Sequence, residues 1–181
     1  IISICATKGF YANAARARVQ ACAQGSYQTQ TCATECTSCA VGTFGKALAN
    51  ALAPGTSAAA HCETCAQGTY QNQVGQTTCT GCAAGRFGSI SNSVSGSSHC
   101  QPCSIGTAQS ATGTTSCTGC ATGEFANSEA QISCTPFSCC GAGTYKFGES
   151  AESDGICAVC AQGTFKTTAG SCLSACSACD T

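Results

Sequence analysis

Aromatic side chains occur along this chain at one recurring position, two residues after a glycine, with small or polar residues between the occurrences. The glycines of this pattern are Gly9, Gly25, Gly42, Gly68, Gly85, Gly106, Gly123, Gly143 and Gly163, and only Gly106 lacks the aromatic, having Ala108 instead. Glycine adopts a positive φ without steric cost, as tight turns often require. The pattern therefore predicts nine turns, each followed by a very short strand.

A cysteine phrase accompanies these turns: Cys, two residues, Cys, two residues, Gly. Four such pairs begin at Cys62, Cys79, Cys100 and Cys117, and these cysteines and the next one in the series, Cys134, are spaced 17, 21, 17 and 17 residues apart. A period this short, with this much sulfur, predicts an array of small disulfide-stapled units.

The composition makes cross-links necessary. The 181 residues include 21 Cys, no Trp, no Met, 7 Phe and 4 Tyr, so the 43% hydrophobic content consists mostly of Ala and Cys. At about 25 cal/mol per Å², such small side chains cannot offset the entropy of ordering the chain around one core. A bridge that closes a loop of about 15 residues contributes about 3 kcal/mol in the chain-entropy model. We expect a small disulfide-rich repeat array, elongated and mostly irregular, with very short β-hairpins and at most one or two short helical turns.

The spacing predicts a ladder of disulfides, in which the second cysteine of each pair bonds to the first cysteine of the next pair. Short loops of this kind close at the lowest entropic cost. The predicted bridges are Cys22–Cys32, Cys39–Cys62, Cys65–Cys79, Cys82–Cys100, Cys103–Cys117, Cys120–Cys134, Cys140–Cys157 and Cys160–Cys172. Sequence alone allows many other pairings.

The ladder leaves five cysteines over. Residues 22–39 and 160–179 share one pattern, and each stretch has one extra cysteine, Cys36 in the first and Cys176 in the second. This correspondence predicts the long-range bridges Cys5–Cys36 and Cys139–Cys176. Cys179 is then unpaired or bonds to a following unit, so that the chain stops in mid-repeat.

The same correspondence divides the chain into an N-terminal cysteine-rich unit (1–39), tandem Cys-x-x-Cys repeats (40–134) and a C-terminal unit (135–181). Residues 46–53 are rich in Ala and Leu and predict at most two helical turns, ended by Pro54-Gly55. The Ala-rich segment 12–21 is compatible with a further helical turn. The Ser/Gly-rich segment 89–98 predicts an exposed loop.

Zinc is the main alternative for the cysteines. Cys62-x2-Cys65-x13-Cys79-x2-Cys82 has the spacing of a four-cysteine site, but the segments between its pairs carry almost no charge to offset such a centre. A redox Cys-x-x-Cys typically occurs once, at a helix N-terminus, rather than in scattered copies. His61 and His99 each precede the first cysteine of a pair, and we interpret them as one repeat position rather than as ligands. We expect no metal and no cofactor.

The cysteine content and the net charge restrict the cellular compartment and the classes of function that fit this chain. Dense disulfides persist where thiols oxidise, which predicts a secreted or cell-surface protein. With 7 basic and 8 acidic residues, the sequence lacks the excess of positive charge that nucleic-acid binding requires. It also has no apolar run long enough for membrane insertion. No acid pair, Ser/His/Asp arrangement, phosphate loop or EF-hand pattern is present, so we expect no enzyme. Ser/Thr clusters such as 112–116 permit O-linked glycans, and no Asn lies in an N-glycosylation sequon.

The phrase Cys-x-x-Cys-x-x-Gly-Thr-Tyr, followed by a polar stretch and another Cys-x-x-Cys, resembles the cysteine-rich repeat of ephrin-receptor-like extracellular proteins. Residues 68–82, Gly-Thr-Tyr-Gln-Asn-Gln-Val-Gly-Gln-Thr-Thr-Cys-Thr-Gly-Cys, are the clearest stretch. The Ala/Thr/Ser/Gly-rich filler is also similar to the immobilisation-type surface antigens of ciliates. The resemblance covers residues 22–179 and implies an extracellular, elongated, disulfide-bonded array, without catalytic residues. The chain departs from the family where Ala or Ser replaces the proline common after the second cysteine.

We expect a structural repeat protein of an extracellular coat, matrix or filament, whose partners are copies of itself, because low net charge permits close packing. The alternative is a ligand-binding receptor ectodomain resembling tumour-necrosis-factor-receptor modules. A receptor should present charged or aromatic anchors, whereas the loops at 45–61 and 88–99 offer mainly Ala, Ser and Gly. Solution scattering tests the elongated shape, since a compact chain of this length has a radius of gyration of about 16 Å.

Overall fold

In the computed structural model, which describes residues 5–13, 18–47, 55–90, 94, 96–167 and 175–178, the chain folds into successive β-hairpins. Each described sheet has two strands that are consecutive in the chain, and the pairs whose register is described are antiparallel. The described strands are β1 Phe10–Asn13, β2 Arg18–Ala21, β3 Ser26–Tyr27, β4 Thr37–Ser38, β5 Thr43–Gly45, β6 Cys62–Thr64, β7 Thr69–Tyr70, β8 Thr80–Gly81, β9 Arg86–Phe87, β10 Gln101–Pro102, β11 Thr107–Ala108, β12 Thr118–Gly119, β13 Glu124–Phe125, β14 Thr135–Pro136, β15 Thr144–Phe147, β16 Ile156–Val159, β17 Thr164–Phe165 and β18 Ser177–Ala178. This is the small disulfide-rich repeat fold, with very short hairpins, that the sequence predicts.

We call each hairpin, together with the cysteine and turn that precede it, a repeat. In the repeat that begins at Cys65, strand β7 pairs with β8 so that Thr69 faces Gly81 and Tyr70 faces Thr80. Cys79 lies directly before β8 and bonds to Cys65, which closes the hairpin covalently. An isolated two-stranded hairpin is marginal in water, so this bridge stabilises an element that pairing alone would not.

Nine disulfides join described cysteines, and eight of them close hairpins in this way. Six have the pairing of the predicted ladder: Cys39–Cys62, Cys65–Cys79, Cys82–Cys100, Cys103–Cys117, Cys120–Cys134 and Cys140–Cys157. We call repeats whose bridge spans 14 residues short repeats, and these begin at Cys22, Cys65, Cys103 and Cys120. Long repeats begin at Cys39, Cys82 and Cys140, with bridges that span 23, 18 and 17 residues.

The predicted bridges near the N-terminus are wrong. Cys22 bonds to Cys36 rather than to Cys32, and Cys5 bonds to Cys32 rather than to Cys36. Tyr27 of β3 pairs with Thr37 of β4, which puts Cys36 directly before the second strand, where Cys79 lies in its own hairpin. The strand register therefore makes Cys36 the ladder cysteine and Cys32 the extra one.

The predicted bridges near the C-terminus are wrong for the same reason. Cys160 bonds to Cys176 rather than to Cys172, and this excludes the predicted Cys139–Cys176 bridge. Phe165 of β17 pairs with Ser177 of β18, so Cys176 directly precedes the second strand. Cys139 is itself disulfide-bonded. Cys172 and Cys179 lie outside the described residues.

The described helices are two single turns, α1 Ala58–His61 and α2 Gly96–His99, and neither has the length and apolarity needed to cross a membrane. The Ser57 hydroxyl accepts a hydrogen bond from the Ala60 N–H and so begins α1. Lys46 and Ala47, at the start of the predicted helix, are not helical, and residues 48–53 lie outside the described part.

Two sequence expectations for local structure are corrected. Residues 12–13 and 18–21 belong to β1 and β2 rather than to a helical turn, because Ala12 pairs with Val19 in a four-residue antiparallel register. The segment predicted as an exposed loop, 89–98, contains the first three residues of α2.

By its contacts the chain divides into two compact units. The first comprises Ile1–Cys82, Gly88–Gln101 and Gly113–Thr115, and the second comprises Ala83–Phe87, Pro102–Thr112 and Ser116–Thr181. The most buried residues are mainly cysteines, with His61 and His99 in the first unit and Ala126 and Lys146 in the second. Disulfide sulfur therefore takes the place of a large aliphatic core within each unit. The three-part division based on the repeat pattern stays a prediction.

Candidate functional site

Every repeat begins with a tight turn after its first cysteine. In the Cys65 repeat the Thr69 N–H donates to the Ala66 carbonyl at 3.1 Å, and the Thr69 hydroxyl donates to the same oxygen at 2.8 Å. Gly68, between them, has a φ of 81°. All nine predicted turn glycines have a φ between 72° and 92°, so the prediction of nine turns is confirmed.

Main-chain hydrogen bonds join each repeat to the next. The Cys82 N–H donates to the Gly68 carbonyl at 2.8 Å, and the Gly68 N–H donates to the Gly88 carbonyl at 2.8 Å. The first of these bonds, from a cysteine N–H to the turn glycine of the preceding repeat, recurs at Cys22, Cys39, Cys65, Cys103, Cys120 and Cys160. Because both partners are main-chain atoms, the joint does not depend on the side chains of either repeat.

Some turn glycines also contact the loop of the repeat two positions further along. A Cβ added to Gly68 would lie 2.2 Å from the Gly113 carbonyl oxygen, and one added to Gly25 would lie 2.2 Å from the Gly75 carbonyl oxygen. Neither the positive φ nor this close approach of main chain permits a side chain. Glycine is required at these two positions for both reasons.

A glutamine closes the loop of three short repeats. Gln71, three residues after the turn glycine, is 6% exposed. Its Nε2 donates to the Thr78 carbonyl at 2.8 Å, and its Oε1 accepts from the Gln73 N–H at 3.0 Å. Gln28 and Gln109 make the equivalent two bonds in their own repeats. The recurrence of Gln three residues after the turn glycine is a visible signal for this clamp, although the predictions from sequence do not include it.

A buried histidine directly precedes a ladder cysteine in two long repeats, and in the Cys82 repeat its ring takes this place. His61 is 1% exposed and His99 is 2% exposed, and no ring nitrogen of either has a hydrogen-bond partner among the residues that the structure describes. A Cβ added to Gly88 would lie 2.1 Å from the His99 Nε2, so glycine at this position leaves room for the ring. Burial, together with the charge of Lys46, lowers the pKa of His61 from its ordinary value of 6.5. The interpretation of both histidines as one repeat position stays consistent with this placement.

The long repeat that begins at Cys140 has a buried lysine there instead, paired with a half-buried aspartate. Lys146 is 2% exposed, and its Nζ lies 2.9 Å from Asp154 Oδ1 and donates to the Ser138 hydroxyl at 2.7 Å. Hydrogen bonds from Ser138 and then from Lys146 lower the pKa of Asp154 from its ordinary value of 3.8. Lys166 has the equivalent position in the next repeat, and its buried Nζ has no hydrogen-bond partner among the described residues.

The cysteines of the zinc alternative are all oxidised. Cys62, Cys65, Cys79 and Cys82 take part in three different disulfides, which leaves no thiolate there to bind a metal. In the ranges that the structure describes, no group of three or more His, Cys, Asp or Glu side chains is placed to hold a metal ion.

Clefts of about 260 to 310 Å³ lie in the first unit, and most of the residues that line them are Ala, Ser, Thr and Gln. Glu35 is the one acidic residue that lines any of these three clefts. A pair of carboxylates suited to acid–base catalysis therefore does not meet in them.

The region from just before α1 to the third residue of α2 also matches a known family. Residues 55–98 match the family model described as tyrosine-protein kinase ephrin type A/B receptor-like. Over these residues the chain is similar to that family. It contains one complete short repeat and parts of the two long repeats beside it, and the resemblance inferred from the cysteine phrase is confirmed there. The chain matches none of the curated proteins. With its disulfide ladder, the ephrin-receptor-like segment fits an extracellular cysteine-rich module.

Proposed function

We propose that this protein is a structural repeat protein of an extracellular coat, matrix or filament. The observation that supports the proposal is the main-chain joint between repeats, represented by the Cys82 N–H and the Gly68 carbonyl. Since this joint is independent of side chains, short and long repeats follow one another within one array. Each repeat is closed by its own disulfide, which is the local logic of linear repeat proteins.

The proposal assigns copies of the same chain as partners. The net charge of −1 and the scarcity of charged residues, 8% of the chain, keep electrostatic repulsion between copies weak. The proposal also assigns O-linked glycans to exposed Ser/Thr clusters. It includes no catalytic activity, cofactor, nucleic acid or membrane insertion.

Native protein purified from its source, with its disulfides intact, tests the proposal by electron microscopy and analytical ultracentrifugation. We expect ordered assemblies whose sedimentation coefficient rises with protein concentration. Disulfide mapping by mass spectrometry on the same sample should return Cys65–Cys79 and its equivalents. A species that stays monomeric over the whole concentration range, with those bridges intact, would overturn self-assembly.

One surface favours the second candidate function, a ligand-binding receptor ectodomain. Phe147 of β15 pairs with Ile156 of β16, and these side chains are 48% and 61% exposed. The Tyr145 ring lies 6.4 Å from the Phe147 ring on the same strand. Exposed aromatic and aliphatic anchors of this kind are typical of binding surfaces.

The variant Ile156→Ser separates the two functions, with Val159→Ser as the matched control on the opposite face of β16. A receptor predicts an extracellular ligand whose affinity falls at least tenfold in Ile156→Ser alone, while assembly is unchanged. Loss of assembly in Ile156→Ser alone would instead assign this face to contacts between copies.

A further inference from the structure

Of the nine disulfides between cysteines that the structure describes, one lies outside the ladder. Cys5–Cys32 joins the segment before β1 to the loop between β3 and β4, a separation of 27 residues. Ala6, which is 0% exposed, occupies the place three residues before the turn glycine that a ladder cysteine has in the other repeats. The Cys5–Cys32 bridge is therefore an addition to the repeat rather than one of its regular parts.

Both cysteines of this bridge are exposed residues. The other eight disulfides between described cysteines differ from it in this respect, because each has at least one cysteine that is buried or half-buried. Cys39, Cys65, Cys82 and Cys103 are 0% exposed. An attacking thiolate must reach a sulfur atom, so accessibility favours exchange at Cys5–Cys32 over exchange in the ladder.

The main chain at Cys32 is strained as well. Cys32 has a φ of 60°, in the left-handed region that is unfavourable for a residue with a side chain. The equivalent loop positions, seven residues after the turn glycine, are Gly75 and Gly113, each with a φ of 71°, and Ala130 with a φ of 60°. Two equivalent repeats thus use glycine where this repeat has a bonded cysteine. Strained or exposed disulfides are the more easily reduced ones.

The hairpins on either side remain closed without this bridge. Cys22–Cys36 closes the β3–β4 hairpin, and β1 pairs with β2 over four residues. The Cys32 N–H donates to the Ala6 carbonyl at 2.7 Å, as the Gly75 N–H donates to the Cys39 carbonyl in a regular repeat. Opening the bridge therefore leaves the ladder and its main-chain joints in place.

We propose that Cys5–Cys32 is a thiol–disulfide exchange site, which an external dithiol opens before the other eight described bridges. A thiolate of the dithiol attacks one sulfur, forms a mixed disulfide and displaces the other cysteine as a thiolate. The second thiol of the dithiol then attacks the mixed disulfide and releases the first cysteine. The two cysteines gain two electrons, and the dithiol is oxidised to its cyclic disulfide.

Timed reduction of the native protein tests this assignment. Samples treated with limiting dithiothreitol at pH 7.5 are quenched with iodoacetamide, and alkylated cysteines are identified by mass spectrometry. We expect alkylation of Cys5 and Cys32 to be at least tenfold faster than that of Cys65 and Cys79. Equal rates, or a ladder bridge that opens first, would overturn the proposal.

Paired variants separate exchange from a structural role. Cys5→Ser/Cys32→Gly and Cys5→Ser/Cys32→Ser both lack the bridge, but only glycine suits the φ of 60°. We expect neither variant to show the fast phase, both to reduce Cys22–Cys36 within threefold of the wild-type rate, and the glycine variant to unfold at the higher urea concentration. If loss of the bridge accelerates reduction of Cys22–Cys36 tenfold or more in both variants, the bridge is a structural staple and the proposal fails.

Discussion

The short repeat that begins at Cys65 and the long repeat that begins at Cys82 differ in how they fill the position three residues after the turn glycine. In the Cys65 repeat, Gln71 fills it and bonds to the main chain of its own loop, seven residues ahead. In the Cys82 repeat, Gly88 leaves it open and the ring of His99, from α2, lies against it. Both arrangements bury the position, but only the glutamine forms hydrogen bonds with the main chain there.

This difference accounts for the loop lengths. A glutamine that bonds to a carbonyl seven residues away requires a loop of one size, and all three repeats with this clamp have a bridge that spans 14 residues. The His99 ring, which fills the position without a described hydrogen bond, imposes no such length, and its repeat has a span of 18 residues. The clamp thus suits a loop of this length, which the Cys120 repeat, with Ala126 at the same position, has without it, while the histidine permits insertions.

Introducing a glutamine at the position that the His99 ring covers should have the largest effect on the free energy of unfolding. Gly88→Gln places a Cβ where the His99 ring lies, and we expect the free energy of unfolding to fall by about 3 kcal/mol, since overpacking of a filled interior is costly. Adding His99→Ala should restore part of this loss by removing the clash. Urea denaturation of the oxidised protein measures both, with Gly141→Ala, at an open glycine, as the control. Strictly additive effects of the two substitutions would show that they do not share one space.

Removing the clamp should have a smaller effect. Gln71→Ala leaves the Thr78 carbonyl and the Gln73 N–H without this partner, and we expect a loss of about 1 to 3 kcal/mol. Gln73→Ala removes an exposed side chain of the same type and should change stability by no more than about 0.5 kcal/mol. Hydrogen exchange of the 71–79 loop locates the effect. Equal losses in the two variants would contradict the clamp.

The stability of the Cys39 repeat, which contains His61, should depend on pH, whereas that of the repeats with a glutamine clamp should not. The pKa of His61 is lowered in the folded state, so the unfolded chain binds the proton first as the pH falls. Stability from this group is complete above about pH 6.5 and decreases below it, with a slope of at most about 1.4 kcal/mol per pH unit.

Urea midpoints between pH 7.5 and 5 measure this slope, and His61→Phe should remove it while keeping a ring in place. Asp154 does not interfere, because its lowered pKa moves its own contribution to a window below about pH 3.8. An undiminished slope in His61→Phe would assign the pH dependence to other groups.

Loss of the threonine hydroxyl in the turn should have the smallest effect on stability, and the same effect in short and long repeats. Thr69 in a short repeat and Thr43 in a long repeat donate to a carbonyl three residues earlier, at exposed sites. We expect Thr69→Val and Thr43→Val each to cost about 0.5 kcal/mol in thermal denaturation. Arg86 occupies this position without a hydroxyl, and Arg86→Thr should add a similar amount. A cost confined to one class would make the turn part of the difference between them.

The turns and the ladder period were accessible from sequence because they are local. The glycine three residues after Cys65 or Cys82 indicates a positive φ without any knowledge of distant residues. The clamp was also accessible, since Gln28, Gln71 and Gln109 recur at one offset from the turn glycine. The burial of His99 was not, because it depends on Gly88 and on a helix that Ser- and Gly-rich residues do not predict.

By itself, then, the sequence determined that sulfur rather than large apolar side chains stabilises this protein, and where each repeat begins. Only the tertiary structure decided that Cys36 rather than Cys32 closes the third and fourth strands, and that Cys32 bonds to Cys5. The physical reason is that two cysteines four residues apart have nearly the same loop-closure entropy. The strand register, which places Cys36 directly before β4, distinguishes them, and that register is a property of paired main chains rather than of spacing.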